Sequence, residues 1–208
     1  MRKYDPRLIF GGLLLLGGLL SLLDVMGIIG NAGGVFWGLI WGAVGVYFLY
    51  LLMADRSRNW WAAFPGFIFV GMALSSLLPS PLDAFSGLIF FAGISVAFLW
   101  FYFTDVNSHW WAIIPAGVLL TLGAISALDE FSTFDTGGFL FVGLGLTFAL
   151  VALLPGGNQR SWAFIPAVIL MIFGTLLVPS FGLANYVGPA LLILLGGFLV
   201  FRFFKPST

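Results

Sequence analysis

The sequence predicts an all-α polytopic membrane protein with eight transmembrane helices, arranged as four repeated two-helix hairpins. Three observations predict this class. Of the 208 residues, 61% are hydrophobic and 8% charged, with mean hydropathy +1.12, whereas soluble domains carry about 25% charged residues. Apolar runs of roughly 18 to 20 residues match the helix length that crosses a hydrocarbon core of about 30 Å. A short phrase that begins with Trp and ends with Pro also occurs three times.

The eight apolar segments lie between short polar stretches. In chain order they cover residues 6–23, 34–54, 61–78, 86–103, 110–127, 137–154, 162–178 and 187–204. They lack the two-residue alternation of a membrane β-strand, so each is predicted to be a helix. The first segment also has the basic start of a secretory signal, but no small-x-small cleavage site follows it. We therefore assign it to the first helix.

The repeated phrase occupies residues 61–65, 111–115 and 162–166. Each copy follows a polar stretch and precedes an apolar run, which is typical of a duplicated helical unit at its point of membrane entry. Its spacing predicts four repeat units in a single membrane domain, at about 1–56, 57–106, 107–157 and 158–208.

Two residue types in and beside the phrase have predicted roles in membrane insertion. Tryptophan settles where hydrocarbon meets headgroups, and proline suits a first helical turn because backbone N–H groups there lack an intrahelical acceptor. The predicted interfacial anchors are Trp60, Trp61, Trp110, Trp111 and Trp162. The predicted helix-start prolines are Pro65, Pro115 and Pro166.

Charge predicts the orientation. With the segments above, every basic residue falls on one side of the membrane: Arg2, Lys3, Arg7, Arg56, Arg58, Arg160, Arg202 and Lys205. The other side holds only acids: Asp24, Asp83, Asp129, Glu130 and Asp135. By the positive-inside rule both termini are predicted to be cytoplasmic.

Gly38 and Gly42 form a small-xxx-small face on the second helix. Small residues let helices approach closely in lipid. This face is predicted to pack against another helix, either within a hairpin of the same chain or in a homodimer.

Few residues point to chemistry. His109 is the only histidine, and it takes the place of Asn59 and Arg160 in the other repeats, which predicts a polar residue at a helix junction. The alternative pairs it with Asp105 as a base and its orienting carboxylate. The acidic loop at 128–135 could hold Ca²⁺ through its carboxylates, but its spacing fits no calcium loop.

No ionisable residue lies in the middle of any apolar segment, and the chain has no cysteine. Proton relays and ion pumps use intramembrane ionisable groups, so proton-coupled transport is not expected. We predict no catalytic residues, no cofactor and no metal site. A net charge of zero without basic tracts predicts no nucleic-acid partner. The predicted surroundings are the lipid bilayer, with another membrane protein or a second copy as partner.

The stretch from Arg7 to Asp24, followed by Phe36-Trp37-Gly38-Leu39-Ile40-Trp41-Gly42, resembles the transmembrane hairpin of bacterial LiaI/LiaF-type envelope-stress proteins. The stretch from Trp110 to Asp129 resembles it too. The resemblance covers about half the chain. It implies a bacterial inner-membrane protein that modulates signalling or envelope response through partners, without catalysis.

The resulting functional expectation is a non-enzymatic membrane scaffold or accessory protein that acts through helix contacts. The alternative is a passive channel or carrier for a small neutral or lipid-like solute, suggested by the repeats and by Ser, Thr and Gly residues in the segments. A lipid-directed enzyme using Asp105 and His109 is a third hypothesis.

Overall fold

The computed structural model describes residues 6–132, 136–154 and 157–178, with Tyr186, Pro189, Leu192, Ile193 and Gly196 beyond them. Regular structure in this part of the chain is entirely helical, which confirms the all-α prediction. The α-helices are α1 (Pro6–Val25), α2 (Ala32–Ala54), α3 (Ala63–Ser76), α4 (Ser86–Thr104), α5 (Ile113–Phe131), α6 (Gly137–Leu153) and α7 (Phe164–Leu177). Short 3-10 helices precede four of them, at Trp60–Ala62, Ser80–Phe85, Trp110–Ala112 and Gly157–Ala163.

Several of these helices are suited to a bilayer. Among the described residues, four helical stretches are long and apolar enough to cross one: Ala32–Ala54, Ser80–Thr104, Trp110–Phe131 and Arg160–Leu177. Three other apolar stretches are shorter, at Phe10–Val25, Trp60–Ser76 and Gly137–Leu153. The predicted eighth segment, 187–204, lies outside the described residues except at isolated positions. A membrane protein with several apolar helices is supported, but a count of eight spans is not, because three stretches fall short of the usual spanning length.

The chain divides into two compact units, residues 1–131 with α1 to α5 and residues 132–208 with α6 and α7. In the first unit each helix packs on the next, and α1 makes the sparsest contact with its neighbour. In the second unit α6 packs along α7. Both units expose large apolar side chains, such as Val46 in α2 and Ile169 in α7. An apolar outer surface of this kind is compatible with the hydrocarbon interior of a bilayer.

The first turn between helices is fixed by local backbone chemistry. Gly27 has φ +71°, the left-handed conformation that favours glycine. Its N–H donates to Asp24 O at 2.9 Å and the N–H of Ile28 donates to Leu23 O at 3.0 Å. This pair of bonds is a Schellman motif, which satisfies carbonyls at the end of α1. Asn31 then begins α2 by accepting the N–H of Gly34 at 2.8 Å.

Small residues set the spacing within the α2–α3 and α6–α7 pairs. A Cβ added to Gly45 would lie 2.9 Å from the backbone N of Val70. A Cβ added to Gly145 would lie 3.0 Å from the backbone N of Met171. Helices this close gain van der Waals contact, which must replace the hydrophobic effect in lipid.

The α3–α4 and α4–α5 pairs use the same principle. A Cβ on Gly93 would lie 2.7 Å from the Cα of Gly71, so these two glycines touch backbone to backbone. In the next pair, the fully buried Ser95 donates its hydroxyl to Ala116 O at 3.0 Å. These close contacts cannot be predicted from the sequence, because the glycine spacing alone does not say which helix each glycine faces.

The predicted packing face on α2 lies against α3. A Cβ on Gly38 would meet the side chain of Leu77 at 2.6 Å, whereas one on Gly42 would lie at an ordinary 3.6 Å from the Cβ of Ala73. Of the two alternatives, the described contacts are those of packing within the chain. The backbone of α3 is also approached closely by Gly45, one turn beyond the predicted pair, and by Gly34, one turn before it.

Candidate functional site at two helix junctions

The first junction, residues 55–62, reverses the chain between α2 and α3. The Oδ1 atom of Asp55 accepts the backbone N–H groups of Ser57 and Arg58, each at 3.1 Å. The N–H of Asn59 donates to Asp55 O at 2.9 Å, and the 3-10 helix begins at the next residue. An Asp side chain that bonds to its own following backbone forms a local turn, so this reversal needs no glycine.

A side-chain hydrogen bond joins the first junction back to α2. The Nδ2 of Asn59 donates to Leu51 O at 2.9 Å. Leu51 O also accepts the backbone N–H of Asp55 at 3.3 Å, so the side chain of Asn59, eight residues further along the chain, adds a second hydrogen bond at the end of α2. We call this contact the junction bond. Beneath it Leu52, Ala62 and Ala63 form a buried apolar cluster.

The second junction, residues 105–112, has the same construction between α4 and α5. The Oδ1 of Asp105 accepts the N–H groups of Asn107 at 3.1 Å and Ser108 at 3.2 Å. The N–H of His109 donates to Asp105 O at 2.8 Å. The second junction therefore reverses the chain with hydrogen bonds at the positions that correspond to those of the first.

His109 forms the junction bond of the second junction. Its Nδ1 lies 3.2 Å from Phe101 O and 3.1 Å from Thr104 Oγ1, and its ring stacks on that of Phe101 at a centroid distance of 3.8 Å. A carbonyl only accepts hydrogen bonds, so in the neutral ring the proton is on Nδ1 and Nε2 is the acceptor. His109 thus does what Asn59 does, which agrees with its prediction as a polar junction residue.

Asp105 and His109 direct their side chains to different partners. Hydrogen bonds from the hydroxyl and backbone N–H of Ser108 lower the pKa of Asp105, with smaller contributions from Asn107 and the charge of His109. The imidazole is bonded to Phe101 O and Thr104 instead. The arrangement does not have the base-to-carboxylate hydrogen bond that the third functional hypothesis requires.

The predicted anchors lie in the 3-10 helices that precede α3, α5 and α7. Four of them are 44% to 49% exposed: Trp60, Trp61, Trp111 and Trp162. Trp110 is half-buried. Each helix-start proline, Pro65, Pro115 or Pro166, is the third residue of its α-helix. Each proline therefore follows a partly exposed Trp and lies in the first turn of its α-helix. The anchoring role of the Trp residues stays a prediction.

The alanine that follows the Trp in each copy is fully buried, at Ala62, Ala112 and Ala163. Hydropathy and charge predict no role for this alanine. Its presence in all three copies of the phrase was the available signal. A residue as small as alanine lets the 3-10 helix lie directly on the preceding helix.

A cleft of about 720 Å³ lies between the first and second junctions. We call it the junction cleft, and its lining includes Arg56, Ser57, Trp60, Phe101, Thr104 and His109. Phe101 is in the middle of this aromatic group, with its ring 5.8 Å from that of Trp60 and stacked on that of His109. Both junctions are therefore at one end of the first unit.

A smaller cleft of about 410 Å³ in the same unit is lined by the start of α2, the end of α3 and the 3-10 helix before α4, including Asn31, Ser76 and Asp83. The Nδ2 of Asn31 donates to Ser76 O at 3.4 Å, which links the turn before α2 to the end of α3. The junction cleft at one end of the unit is thus lined by a basic residue, Arg56, and the smaller cleft is lined by an acidic residue, Asp83.

The predicted acidic loop is partly helical. Asp129 and Glu130 are in the last turn of α5, because that helix continues to Phe131, and Asp135 lies outside the described residues. Across the described ranges, no group of three or more His, Cys, Asp or Glu side chains could hold a metal ion. At the position that corresponds to Asn59 and His109, Arg160 is buried, with 6% exposure.

No protein-family model matches the chain, and neither the curated proteins nor the solved structures give a significant match.

Proposed function

We propose that the protein is a non-enzymatic integral membrane scaffold or accessory protein that acts through helix contacts with another membrane protein or a second copy. The observation that carries this proposal is the bonding of the hydroxyl groups within the helices. In the described helices six of them donate to backbone carbonyls: Ser76, Ser95, Thr104, Thr121, Thr147 and Thr175. Hydroxyl donors committed in this way stabilise helices and helix pairs, and they are not available to a passing solute or as activated nucleophiles.

α1 supplies the contact surface in this proposal. Apart from the neighbouring backbone of α1 itself, no described atom lies within 4 Å of a Cβ added to Gly11, Gly12 or Gly18. Leu14 and Leu15 are each more than three-quarters exposed. A helix with a glycine face and an open apolar side is suited to close packing by another transmembrane helix. The resemblance to LiaI/LiaF-type hairpins agrees with a protein that works through partners.

The proposal includes an orientation and a repeat. The two junctions have corresponding hydrogen bonds, which supports a unit duplicated about every 50 residues. We place the junctions, with Arg56 and Arg58, on the cytoplasmic side of a bacterial inner membrane. Segment 187–204 then supplies an eighth span, and both termini are cytoplasmic.

Photo-crosslinking in native membranes tests the contact surface. A photoreactive amino acid at Gly12 or Gly18 is expected to give one discrete crosslinked product of constant mass. The same group at Val46, an exposed position on α2, is the matched control and is expected to give only lipid adducts. Equal crosslinking at all three positions would contradict a specific surface on α1.

A second measurement separates the scaffold from the passive channel or carrier. The purified chain is reconstituted alone in liposomes, and the efflux of a small neutral solute such as glycerol is followed by light scattering. The scaffold proposal expects efflux at the rate of empty liposomes. Rapid efflux that depends on the protein would contradict it and favour the channel.

A further inference from the structure

We propose that the junction cleft binds the headgroup of an anionic phospholipid, a phosphodiester whose headgroup also carries hydroxyl groups, as phosphatidylglycerol does. This inference depends on insertion of the first unit into a bilayer, but not on any protein partner. It rests on the composition of the cleft, on the bonding of the polar groups around it and on its position at the helix ends.

The cleft combines one permanent cation with hydroxyl and aromatic groups. Arg56 presents a planar guanidinium, whose donors match two phosphate oxygens at once. Ser57 brings a hydroxyl to the same lining. The rings of Trp60 and Phe101 supply an apolar wall beside them. An amphiphile with an acidic phosphate has both the charge and the apolar body that this lining favours.

The acids nearest along the chain, Asp55 and Asp105, each have one carboxylate oxygen bonded to their own turn. The Oδ1 of Asp55 accepts the N–H groups of Ser57 and Arg58, and that of Asp105 accepts two N–H groups of its own turn. These bonds hold the carboxylates to their turns. A phosphate is the partner that Arg56 would gain from a bilayer surface.

His109 distinguishes among anionic headgroups. Its Nδ1 is engaged with Phe101 O and Thr104 Oγ1, which leaves Nε2 as the acceptor of the neutral ring. An acceptor pairs with a headgroup hydroxyl and has no donor for a second phosphate oxygen. The cleft is therefore expected to prefer a hydroxylated phosphodiester over phosphatidic acid.

Position favours a lipid over a soluble phosphate. The cleft lies where α2 ends at Ala54 and α4 ends at Thr104, and both helices belong to stretches of spanning length. The ends of spanning helices lie at headgroup depth. The volume of about 720 Å³ is in the range of small-molecule sites, roughly 300 to 1,000 Å³.

The test measures which lipids remain with the protein. The full chain is reconstituted in nanodiscs of equal phosphatidylglycerol and phosphatidylcholine and extracted in mild detergent, and the retained lipids are quantified by mass spectrometry. We expect phosphatidylglycerol to be enriched in wild type. Arg56→Gln should lower that enrichment about tenfold, as for the loss of a charged hydrogen bond.

Arg58→Gln is the matched control, because Arg58 belongs to the same junction and is exposed outside the junction cleft. It should retain the wild-type enrichment within about twofold. Equal losses in the two variants would overturn the proposal, because they would indicate general surface charge. His109→Asn should still enrich phosphatidylglycerol over phosphatidylcholine. In a second set of nanodiscs, of equal phosphatidylglycerol and phosphatidic acid, wild type should enrich phosphatidylglycerol and His109→Asn should not; no enrichment in wild type would overturn the role given to His109.

Two further arms identify the source of the phosphate. Millimolar inorganic phosphate should leave the retained lipid unchanged, and displacement by it would overturn the lipid assignment in favour of a soluble anion. Flotation with vesicles is measured for every variant. Wild type that floats but shows no lipid preference contradicts only the headgroup site, whereas failure to float contradicts the insertion on which both proposals rest.

Discussion

At the scale of single residues, Asn59 and His109 show how different side chains perform one structural task. Each donates from its side chain to a carbonyl eight residues earlier, Leu51 O or Phe101 O. The bond needs a donor at a fixed distance from the backbone, which an amide and an imidazole both supply. The identity of the residue can then vary without loss of the junction, and a lone histidine is not by itself a sign of catalysis.

Replacement of His109 tests this interpretation. His109→Ala removes the donor to Phe101 O and is expected to lower stability by about 1 kcal/mol. His109→Asn keeps a donor of the kind that Asn59 provides and should be closer to wild type. Unfolding in mixed micelles, followed by tryptophan fluorescence, measures both. Equal stability of the Ala and Asn variants would contradict the junction bond.

The lowered pKa of Asp105 predicts a dependence on pH. Because its folded pKa lies below the unfolded one, the ionised carboxylate stabilises the fold above the unfolded value, about 3.9 for Asp. That contribution is lost as pH falls through the folded pKa. Thermal unfolding from pH 7 down to about 3 should show a smaller fall in Tm for Asp105→Asn than for wild type. Parallel curves for the two proteins would refute this assignment.

At the scale of helices, close packing depends on positions where a side chain would not fit. Gly71 and Gly93 touch through their backbones, and Ser95 reaches Ala116 O across the next helix pair. Lipid tails are as apolar as leucine, so association rests on this contact and on the buried hydrogen bond. In the described part of the chain, no other helix approaches Gly12 of α1 in this way.

Gly93→Ala is expected to destabilise the α3–α4 pair by about 1 to 3 kcal/mol, because the new Cβ would press on the backbone at Gly71. Gly12→Ala on α1 is the matched control. It meets open space and should be neutral, or stabilising by up to about 1 kcal/mol through helix propensity. Denaturant titration in lipid bicelles compares the two variants. An equal effect of both would contradict the packing described for Gly93.

Hydropathy predicted the existence of the described helices better than their ends and contacts. The fifth segment was predicted to end at residue 127, yet α5 continues to Phe131, because Asp129 and Glu130 lower hydropathy without opposing a helix. The roles of the Trp and Pro residues in membrane entry, which follow from local rules, stay predictions. The junction cleft was not predictable, because it joins residues about 50 positions apart whose proximity depends on how α2 to α5 pack.

At the scale of the whole molecule, charge is unequal between the two ends of the first unit. Arg56 lines the junction cleft, whereas Asp83 lines the smaller cleft with Asn31. Such a difference favours one direction of insertion, because basic residues resist translocation. The junctions are then expected to face the cytoplasm.

Single-cysteine labelling tests this orientation without a background, because the chain has no cysteine of its own. Ser57→Cys at the first junction should be protected from a membrane-impermeant maleimide in intact cells and react after permeabilisation. Ser80→Cys, in the 3-10 helix before α4, should react in intact cells. The reverse pattern would invert the proposed topology, and labelling of both from one side would contradict a spanning α3.

The hydrogen bonds of the first junction have a consequence for biosynthesis. Asp55, Ser57, Arg58 and Asn59 all bond within eight residues of one another or to Leu51. Contacts so local form quickly, without waiting for distant parts of the chain. The turn is therefore expected to form while the ribosome is still adding α3, so that the nascent chain is already reversed when its next apolar segment reaches the bilayer.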